Sequence, residues 1–223
     1  MNPNTLYPLK DFRNTVLLKP LIDASAVTNV HAGEYSYYSD FEDPTGFLEN
    51  NVLYNYGFSN TSLRIGKFCA FAHGVRFIMA DANHATKGVS SYPFAIFGGE
   101  WAEAMPLADY PFKQYRDIEI GHDVWLGLEV TVMPGVRIGN GAIIGSKSVV
   151  SSDIPAYAVA VGNPAKVVRQ RFSDEDIALL EQLCWWDWPQ AHIEAAIPLL
   201  VAGQPQALWQ YAQQHGLGAN QNG

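Results

Sequence analysis

The chain has 223 residues, of which 48% are hydrophobic and 16% are charged, with 14 basic and 22 acidic side chains and a formal net charge of -8. A chain of this size and apolar content can bury a core without disulfides or a structural metal. Its net acidity and its lack of a Lys/Arg run argue against a nucleic-acid partner, because phosphate binding needs a basic footprint. Any anionic ligand therefore needs a local basic patch.

The two cysteines, Cys69 and Cys184, lie far apart, and the sequence opens without a charged segment followed by an apolar one. These features predict a cytoplasmic protein with reduced thiols. The longest apolar stretches, such as 195–202, are far too short to span a bilayer as a helix. We therefore expect no membrane anchor.

From Ile120 the sequence repeats every six residues through six units: IGHDVW, LGLEVT, VMPGVR, IGNGAI, IGSKSV and VSSDIP. The first position of every unit is aliphatic, the fifth is small or β-branched, and the second is Gly in four of the six. A helix repeats about every 3.6 residues and a strand about every 2, so a strict period of six indicates a short strand, a corner and another short strand.

Three such units close one triangular coil, and stacked coils bury the first and fifth positions in a continuous core. The period therefore predicts a parallel β-helix rather than a β-sandwich. A fainter copy of the register over 65–77 puts Cys69 at an inward position, so we interpret its thiol as core rather than as a nucleophile. Trp125, at a sixth position, is expected to point outward.

Two stretches, 33–60 and 78–118, break the period and are rich in aromatic residues. Long excursions from a regular solenoid usually carry function, and we expect these two to build the wall of a pocket. The β-helix with both excursions is assigned to residues 1–165. Residues 166–223 are assigned to a C-terminal helical extension.

The C-terminal extension shows a helical pattern. Ser173 is predicted to cap the first helix, and 189–201 and 205–215 are predicted to form two more. A solenoid needs a cap over the open end of its core. We therefore expect three tryptophans to pack these helices rather than bind a ligand: Trp185, Trp186 and Trp188.

The histidines are the first candidates for chemistry. A zinc hydratase built on such a helix, as in the gamma carbonic anhydrases, would need two histidines five residues apart, and the sequence contains no such pair. We therefore predict no catalytic metal. His84 differs from the histidines of the repeat because it lies in an excursion, although the pattern alone leaves it open to a catalytic or a structural role.

Eight segments, taken in order, match a known family: IGKFC (65–69), FIMADANH (77–84), SSYPF (90–94), IGHDVWLG (120–127), MPGVRIGNGAIIGSKSVV (133–150), VGNPAK (161–166), RFSDE (171–175) and WWDWP (185–189). They resemble the xenobiotic acetyltransferases of the hexapeptide-repeat superfamily, which include type B chloramphenicol and streptogramin A acetyltransferases. The resemblance implies a left-handed parallel β-helix. It also implies a homotrimer with each active site in a cleft between two subunits.

The same resemblance implies an acetyl-CoA-dependent O-acetyltransferase in which His84 is the general base. It implies two acceptor-binding residues, Tyr37 and Tyr54. It places the coenzyme against three residues of the repeat: Trp125, Gly127 and Ser146. The segment 154–172 contains Lys166, Arg169 and Arg171 and no acid, so with Lys147 these residues could form the local patch for the coenzyme phosphates, the alternative being a solvated basic tail.

We expect the acceptor to be a hydrophobic small molecule, an antibiotic such as a streptogramin A or chloramphenicol. Two alternatives remain open: O-acetylation of a sugar or polysaccharide precursor, and a non-catalytic trimeric β-helix scaffold. The segment 98–117 follows no family pattern, and Ala70 and Ala72 replace the usual Ser and Gly. The identity of the acceptor is therefore the least defined part of the resemblance.

Overall fold

The computed structural model describes residues 1–218. The strands in this range are β1 (Thr15–Leu17), β2 (Val30–Ala32), β3 (Tyr37–Ser39), β4 (Val52–Leu53), β5 (Leu63–Ile65), β6 (Ala70–Phe71), β7 (Arg76–Ile78), β8 (Ile118–Ile120), β9 (Trp125–Leu126), β10 (Thr131–Val132), β11 (Arg137–Ile138), β12 (Ile143–Ile144), β13 (Val149–Val150), β14 (Ala158–Val161) and β15 (Lys166–Gln170). The α-helices are α1 (Leu18–Asp23), α2 (Phe47–Asn50), α3 (Gly99–Ala104), α4 (Asp174–Leu183), α5 (Gln190–Ala202) and α6 (Pro205–His215). None of these helices combines the length and the apolarity needed to cross a bilayer.

The strands form three sheets, because each coil contributes one strand to each face of a triangular prism. The first sheet has the order β1-β3-β6-β9-β12-β14-β15, the second β13-β10-β7-β4 and the third β11-β8-β5-β2. Strands of neighbouring coils are parallel, and only the outer pairs β1–β3 and β14–β15 are antiparallel in the described chain. The architecture is the predicted left-handed parallel β-helix.

The core of the prism consists of the inward positions of the six-residue period. From Ile120 to Val150 every first-position side chain is at most 3% exposed, and from Val124 to Ile154 every fifth-position side chain is at most 4% exposed. Each fully buried aliphatic side chain stabilises the folded state by about 1.5–3 kcal/mol relative to an exposed one. The inward position predicted for Cys69 is confirmed, since its side chain is fully buried.

Glycine at the second position of a unit lets neighbouring coils touch. A Cβ added to Gly139 would lie 2.4 Å from the amide N and 2.7 Å from the Cα of Ala156 in the next coil. One added to Gly66 would lie 2.5 Å from the carbonyl O of Gly121. Because these neighbours are backbone atoms, they cannot rotate away from a side chain.

The stretch 33–60, expected to be a loop excursion, carries two strands of the helix. Tyr38 of β3 aligns with Phe71, and Val52 of β4 aligns with Phe77. The insertion 40–51 separates the two strands and hides their six-residue spacing. The stretch 78–118 leaves the prism after β7 and returns to it at β8, with α3 and short 3-10 turns between.

The C-terminal helices cover a second apolar cluster beside the prism. As predicted, Ser173 caps α4, and its Oγ accepts a hydrogen bond from the backbone N of Asp176 at 3.2 Å. The packing role expected of the tryptophans is confirmed, because Trp185, Trp186 and Trp188 are at most 8% exposed.

We expect Gly139→Ala to destabilise the fold by about 1–3 kcal/mol, or roughly 2–12 °C in Tm, because the added methyl group would overlap the backbone of the next coil. Thermal and urea unfolding followed by circular dichroism measure the change. Gly218→Ala is the matched control, since a Cβ there meets nothing within 4 Å. Equal Tm values for the two variants would contradict the close contact between coils.

Candidate active site

Three of the predicted site residues lie in one row on the outer face of the first sheet. Tyr37 aligns with Ala70, and Ala70 aligns with Trp125. Trp125 aligns with Ile143, which aligns with Val159 and through it with Arg169. Since neighbouring strands lie about 4.8 Å apart, the backbone of Trp125 lies about 10 Å from that of Tyr37, two strands away, and about 14 Å from that of Arg169, three strands away. Trp125 is 53% exposed, as its sixth position predicts. We call this set the outer row.

Four other predicted coenzyme residues lie at the corner where the first sheet turns into the second. A Cβ on Gly127 would lie 2.8 Å from the backbone N of Ser146, so the two residues are in contact across neighbouring coils. The backbone N of Lys147 donates to the carbonyl O of Leu128 at 2.7 Å. Lys166, the first residue of β15, pairs with Val161, the last residue of β14 in the first sheet. The corner and the outer row therefore form one continuous surface.

This surface carries positive charge with little neutralisation. Lys147 Nζ lies 3.5 Å from the Glu129 carboxylate, in an exposed pair of the kind that contributes little to stability. Within residues 1–218, neither Lys166 nor Arg169 forms an ion pair. Arg171 points elsewhere, since its guanidinium lies 3.7 Å from the Asp123 carboxylate.

His84 and Tyr54 lie at the far end of the second sheet. Strands β4 and β7 are neighbours, and the backbone N of Met79 donates to the carbonyl O of Leu53 at 2.9 Å. Tyr54 therefore leaves the prism beside the segment that leads to His84. Both side chains are exposed.

One nitrogen of the His84 imidazole forms a hydrogen bond that orients the ring. Its Nδ1 lies 2.9 Å from the carbonyl O of Ser91. A carbonyl oxygen accepts and never donates, so Nδ1 carries a proton, and in the neutral ring Nε2 keeps its lone pair. The ring is thereby fixed in the tautomer that offers a free basic nitrogen. Sequence reasoning missed Ser91, because any residue can supply a backbone carbonyl.

The two groups of predicted residues do not meet within one chain. The corner with Gly127 precedes the strands of the second sheet, whereas Tyr54 and His84 follow them. In the part of the chain that the structure describes, no hydrogen bond, ion pair or ring contact joins the two groups. The structure thus brings together Tyr54, a predicted acceptor residue, and His84, and separately Tyr37 and the predicted coenzyme residues.

The excursion that carries His84 also presents a cluster of exposed rings. Tyr92 stacks on Phe97 with ring centroids 5.4 Å apart, and both rings meet the edge of Trp101. The side chains of Phe97 and Trp101 are 60% and 50% exposed. The aromatic composition of 78–118 is the sequence signal for this apolar surface.

A cleft of about 690 Å³ lies elsewhere, between the outer face of the third sheet and α4. Its wall includes Arg64, Glu119 and Arg137, and Glu119 and Arg137 pair at 2.9 Å. None of the predicted site residues lines it. Within residues 1–218, no three His, Cys, Asp or Glu side chains converge in a way that could hold a metal ion.

Known proteins resemble the chain over most of its length. The family model described as "Bacterial transferase hexapeptide (six repeats)" matches residues 117–152. Virginiamycin A acetyltransferase of Staphylococcus aureus is 41% identical over 208 residues, which are 93% of this chain and 91% of that protein. The chain belongs to the hexapeptide-repeat acetyltransferases.

Two further relatives of this acetyltransferase carry related names. A probable macrolide acetyltransferase of Lysinibacillus sphaericus is 43% identical over 171 residues, covering 75% of the chain and 94% of that protein. A chloramphenicol acetyltransferase of Morganella morganii is 40% identical over 185 residues, covering 82% of the chain and 87% of that protein. The resemblance expected from the sequence segments is therefore confirmed.

Neither cysteine of the acetyltransferase is suited to carry an acetyl group. Burial raises the pKa of Cys69 to about 12, and burial and nearby acids also raise the pKa of Cys184. The thiolate is the reactive form of cysteine, so both thiols are poor nucleophiles near neutral pH.

We expect iodoacetamide to leave Cys69 unmodified in the native acetyltransferase near neutral pH and to modify it fully in urea. Cys184, which is partly exposed, is expected to react slowly in the native protein and faster as the pH rises. Mass spectrometry of the digested protein measures both sites. Rapid native labelling of Cys69 would contradict its assignment to the core.

Proposed function

We propose that the protein transfers acetyl from acetyl-CoA to a hydroxyl group of a hydrophobic small molecule, an antibiotic of the streptogramin A or chloramphenicol type. The single observation that carries the proposal is the geometry of His84, whose Nδ1 is fixed on Ser91 and whose Nε2 forms no hydrogen bond within residues 1–218. The names of the relatives support the acceptor class. The virginiamycin A enzyme, which matches 93% of the chain, favours a streptogramin A.

His84 would act as the general base in a direct transfer. Its Nε2 takes the proton of the acceptor hydroxyl while that oxygen bonds to the thioester carbon of acetyl-CoA. The tetrahedral intermediate then collapses, the carbon–sulfur bond breaks and the leaving thiolate takes the proton back from the imidazolium. The products are the acetyl ester and CoA, and no acetyl-enzyme forms.

The outer row and the adjoining corner would bind the coenzyme. Gly127 and Ser146 leave room for a narrow pantetheine arm beside the exposed ring of Trp125. Positive charge for the phosphates would come from Lys147, Lys166 and Arg169. They form a local basic patch, which an anionic coenzyme requires on a chain with a net charge of -8. The exposed rings of Tyr37 and Tyr54 offer apolar contact to the acceptor.

A homotrimer would complete the site. The coenzyme surface and His84 lie at opposite ends of the second sheet, so one copy does not bring donor and base together. We propose that His84, in the excursion of one subunit, and the neighbouring Tyr54, which follows β4, lie against the outer row of the adjacent subunit. Closed cyclic assembly then builds three equivalent sites.

We expect purified protein to release CoA thiol from acetyl-CoA in the presence of one acceptor of a panel that includes a streptogramin A, chloramphenicol, a macrolide and several sugars. His84→Ala should lower kcat by about 10²- to 10⁴-fold, the usual contribution of a general base. The free thiol is measured with a chromogenic disulfide, and the acetylated acceptor by mass spectrometry.

His31→Ala is the matched control, because His31 is an exposed histidine on the third sheet, away from both groups. It should retain full activity. Equal turnover by His84→Ala and His31→Ala would refute His84 as the base. Turnover of a sugar alone would move the acceptor class to carbohydrates, and silence across the panel with no stabilisation by acetyl-CoA would favour a scaffold.

A subunit-mixing experiment tests the shared site. His84→Ala and Trp125→Ala should each be nearly inactive, whereas trimers that contain both variants should regain about a third of the wild-type activity, because about one of the three sites then combines an intact base with an intact coenzyme wall. Activity is measured after co-expression and purification through two different tags. Mixed trimers as inactive as either parent would place both residues in a site within one chain.

A further inference from the structure

The carboxylate of Asp81 accepts hydrogen bonds from four backbone amides of a neighbouring loop. Its Oδ2 accepts hydrogen bonds from the backbone N of Tyr56 at 2.7 Å, of Gly57 at 2.7 Å and of Phe58 at 3.2 Å. Its Oδ1 accepts one from the backbone N of Ser59 at 2.8 Å. Four consecutive amides turned toward one point form an anion-binding nest, and here the anion is a side chain of the same protein.

The loop held in this way carries a ladder of exposed rings. Tyr54 meets Tyr56 edge-on with ring centroids 6.4 Å apart, and Tyr56 meets Phe58 at 5.9 Å. The three side chains are 48%, 65% and 73% exposed, respectively. We call these three rings the aromatic ladder. A contiguous exposed apolar surface of this kind is typical of a site that contacts a ligand or a partner.

Asp81 also lies close to His84 in the chain. It occupies the 3-10 turn Ala80–Ala82, three residues before the imidazole. One end of this short segment is fixed to β4 through the hydrogen bond from Met79 to Leu53, and the ring at the other end is fixed to Ser91. Asp81 is therefore a direct polar link between the base segment and the aromatic ladder.

We propose that Asp81 is a positioning residue that fixes the aromatic ladder relative to His84, and that Tyr56 and Phe58 contact the apolar acceptor together with Tyr54. The inference rests on the proposed function, because it assigns the acceptor side of that same site. It adds to the site one carboxylate that touches no substrate and two rings outside the set implied by the family resemblance.

The electrostatics of Asp81 suit such a link. Burial alone would raise the pKa of this carboxyl, but the hydrogen bonds from the 56–59 loop bring it below its usual value. The group is therefore ionised throughout the pH range of an enzyme assay, and its bonds to the amides are charge-assisted. We expect acceptor binding to show no titration from Asp81 between about pH 5 and pH 9.

The test replaces the carboxylate by an amide. Asp81→Asn keeps the shape of the side chain but loses its charge. Its NH₂ group cannot accept a hydrogen bond, so the backbone N–H that faces it loses its acceptor. We expect KM for the acceptor to rise about tenfold, corresponding to about 1.4 kcal/mol. KM for acetyl-CoA and kcat should stay within about twofold, since neither the coenzyme surface nor His84 is altered. Asp81→Glu, which restores two oxygens, should recover part of the loss.

Hydrogen exchange supplies a readout that does not need turnover. The amides of 56–59 should exchange slowly in the wild type and at least about tenfold faster in Asp81→Asn. Asp43→Asn is the matched control, because Asp43 also accepts a backbone hydrogen bond, from Thr45 at 2.9 Å, but at a turn unconnected with His84. That variant should change neither the acceptor KM nor exchange over 56–59.

The outcomes separate the two proposals. An active wild type whose acceptor KM is unchanged in Asp81→Asn would overturn the positioning role even if the loop exchanges faster. A fall in kcat together with an equal rise in the KM values of both substrates would also overturn it, because that pattern reports general damage to the fold. A wild type that acetylates no acceptor would overturn the proposed function, and this inference with it.

Discussion

Direct backbone contact between successive coils is the constraint on which the rest of the structure depends. At Gly66, Gly121 and Gly139 the next coil lies so close that no side chain fits between. Coils that stack this closely keep a strict register, so every residue stands above its counterpart in the coil below. Site residues far apart in sequence, such as Tyr37 and Trp125, consequently fall into one row without any specific contact between them.

Much of the fold follows from this register and could be predicted from the sequence. A period of six distinguishes inward from outward positions, so the burial of Cys69 and the exposure of Trp125 were predictable. The cap at Ser173 was predictable for a different reason, because it depends on residues within one turn. The strands β3 and β4 escaped prediction, since an insertion between them removes the spacing that marks the other strands.

The chemistry near His84 was predictable only in part. The family resemblance points to the histidine, but no periodic pattern reveals that Ser91 fixes its tautomer or that Asp81 holds the backbone of a distant loop. Such contacts depend on the path of irregular loops. The sequence contains many backbone carbonyls and carboxylates, and nothing in it marks the one that forms the contact. Register determines where the residues proposed to bind the coenzyme lie, whereas loop conformation determines where Tyr54 and His84 lie.

The excursion at 79–117 leaves the prism without disturbing it. Strand β5 pairs directly with β8 and β7 with β10, as they would if the chain between them had the length of an ordinary corner. The strand pairing of the prism is therefore continuous across the excursion, and of this segment the core includes Met79, at its start. Changes in the sequence or length of the segment beyond Met79 would therefore leave the register of the prism in place, so this part of the chain can vary separately from the repeat.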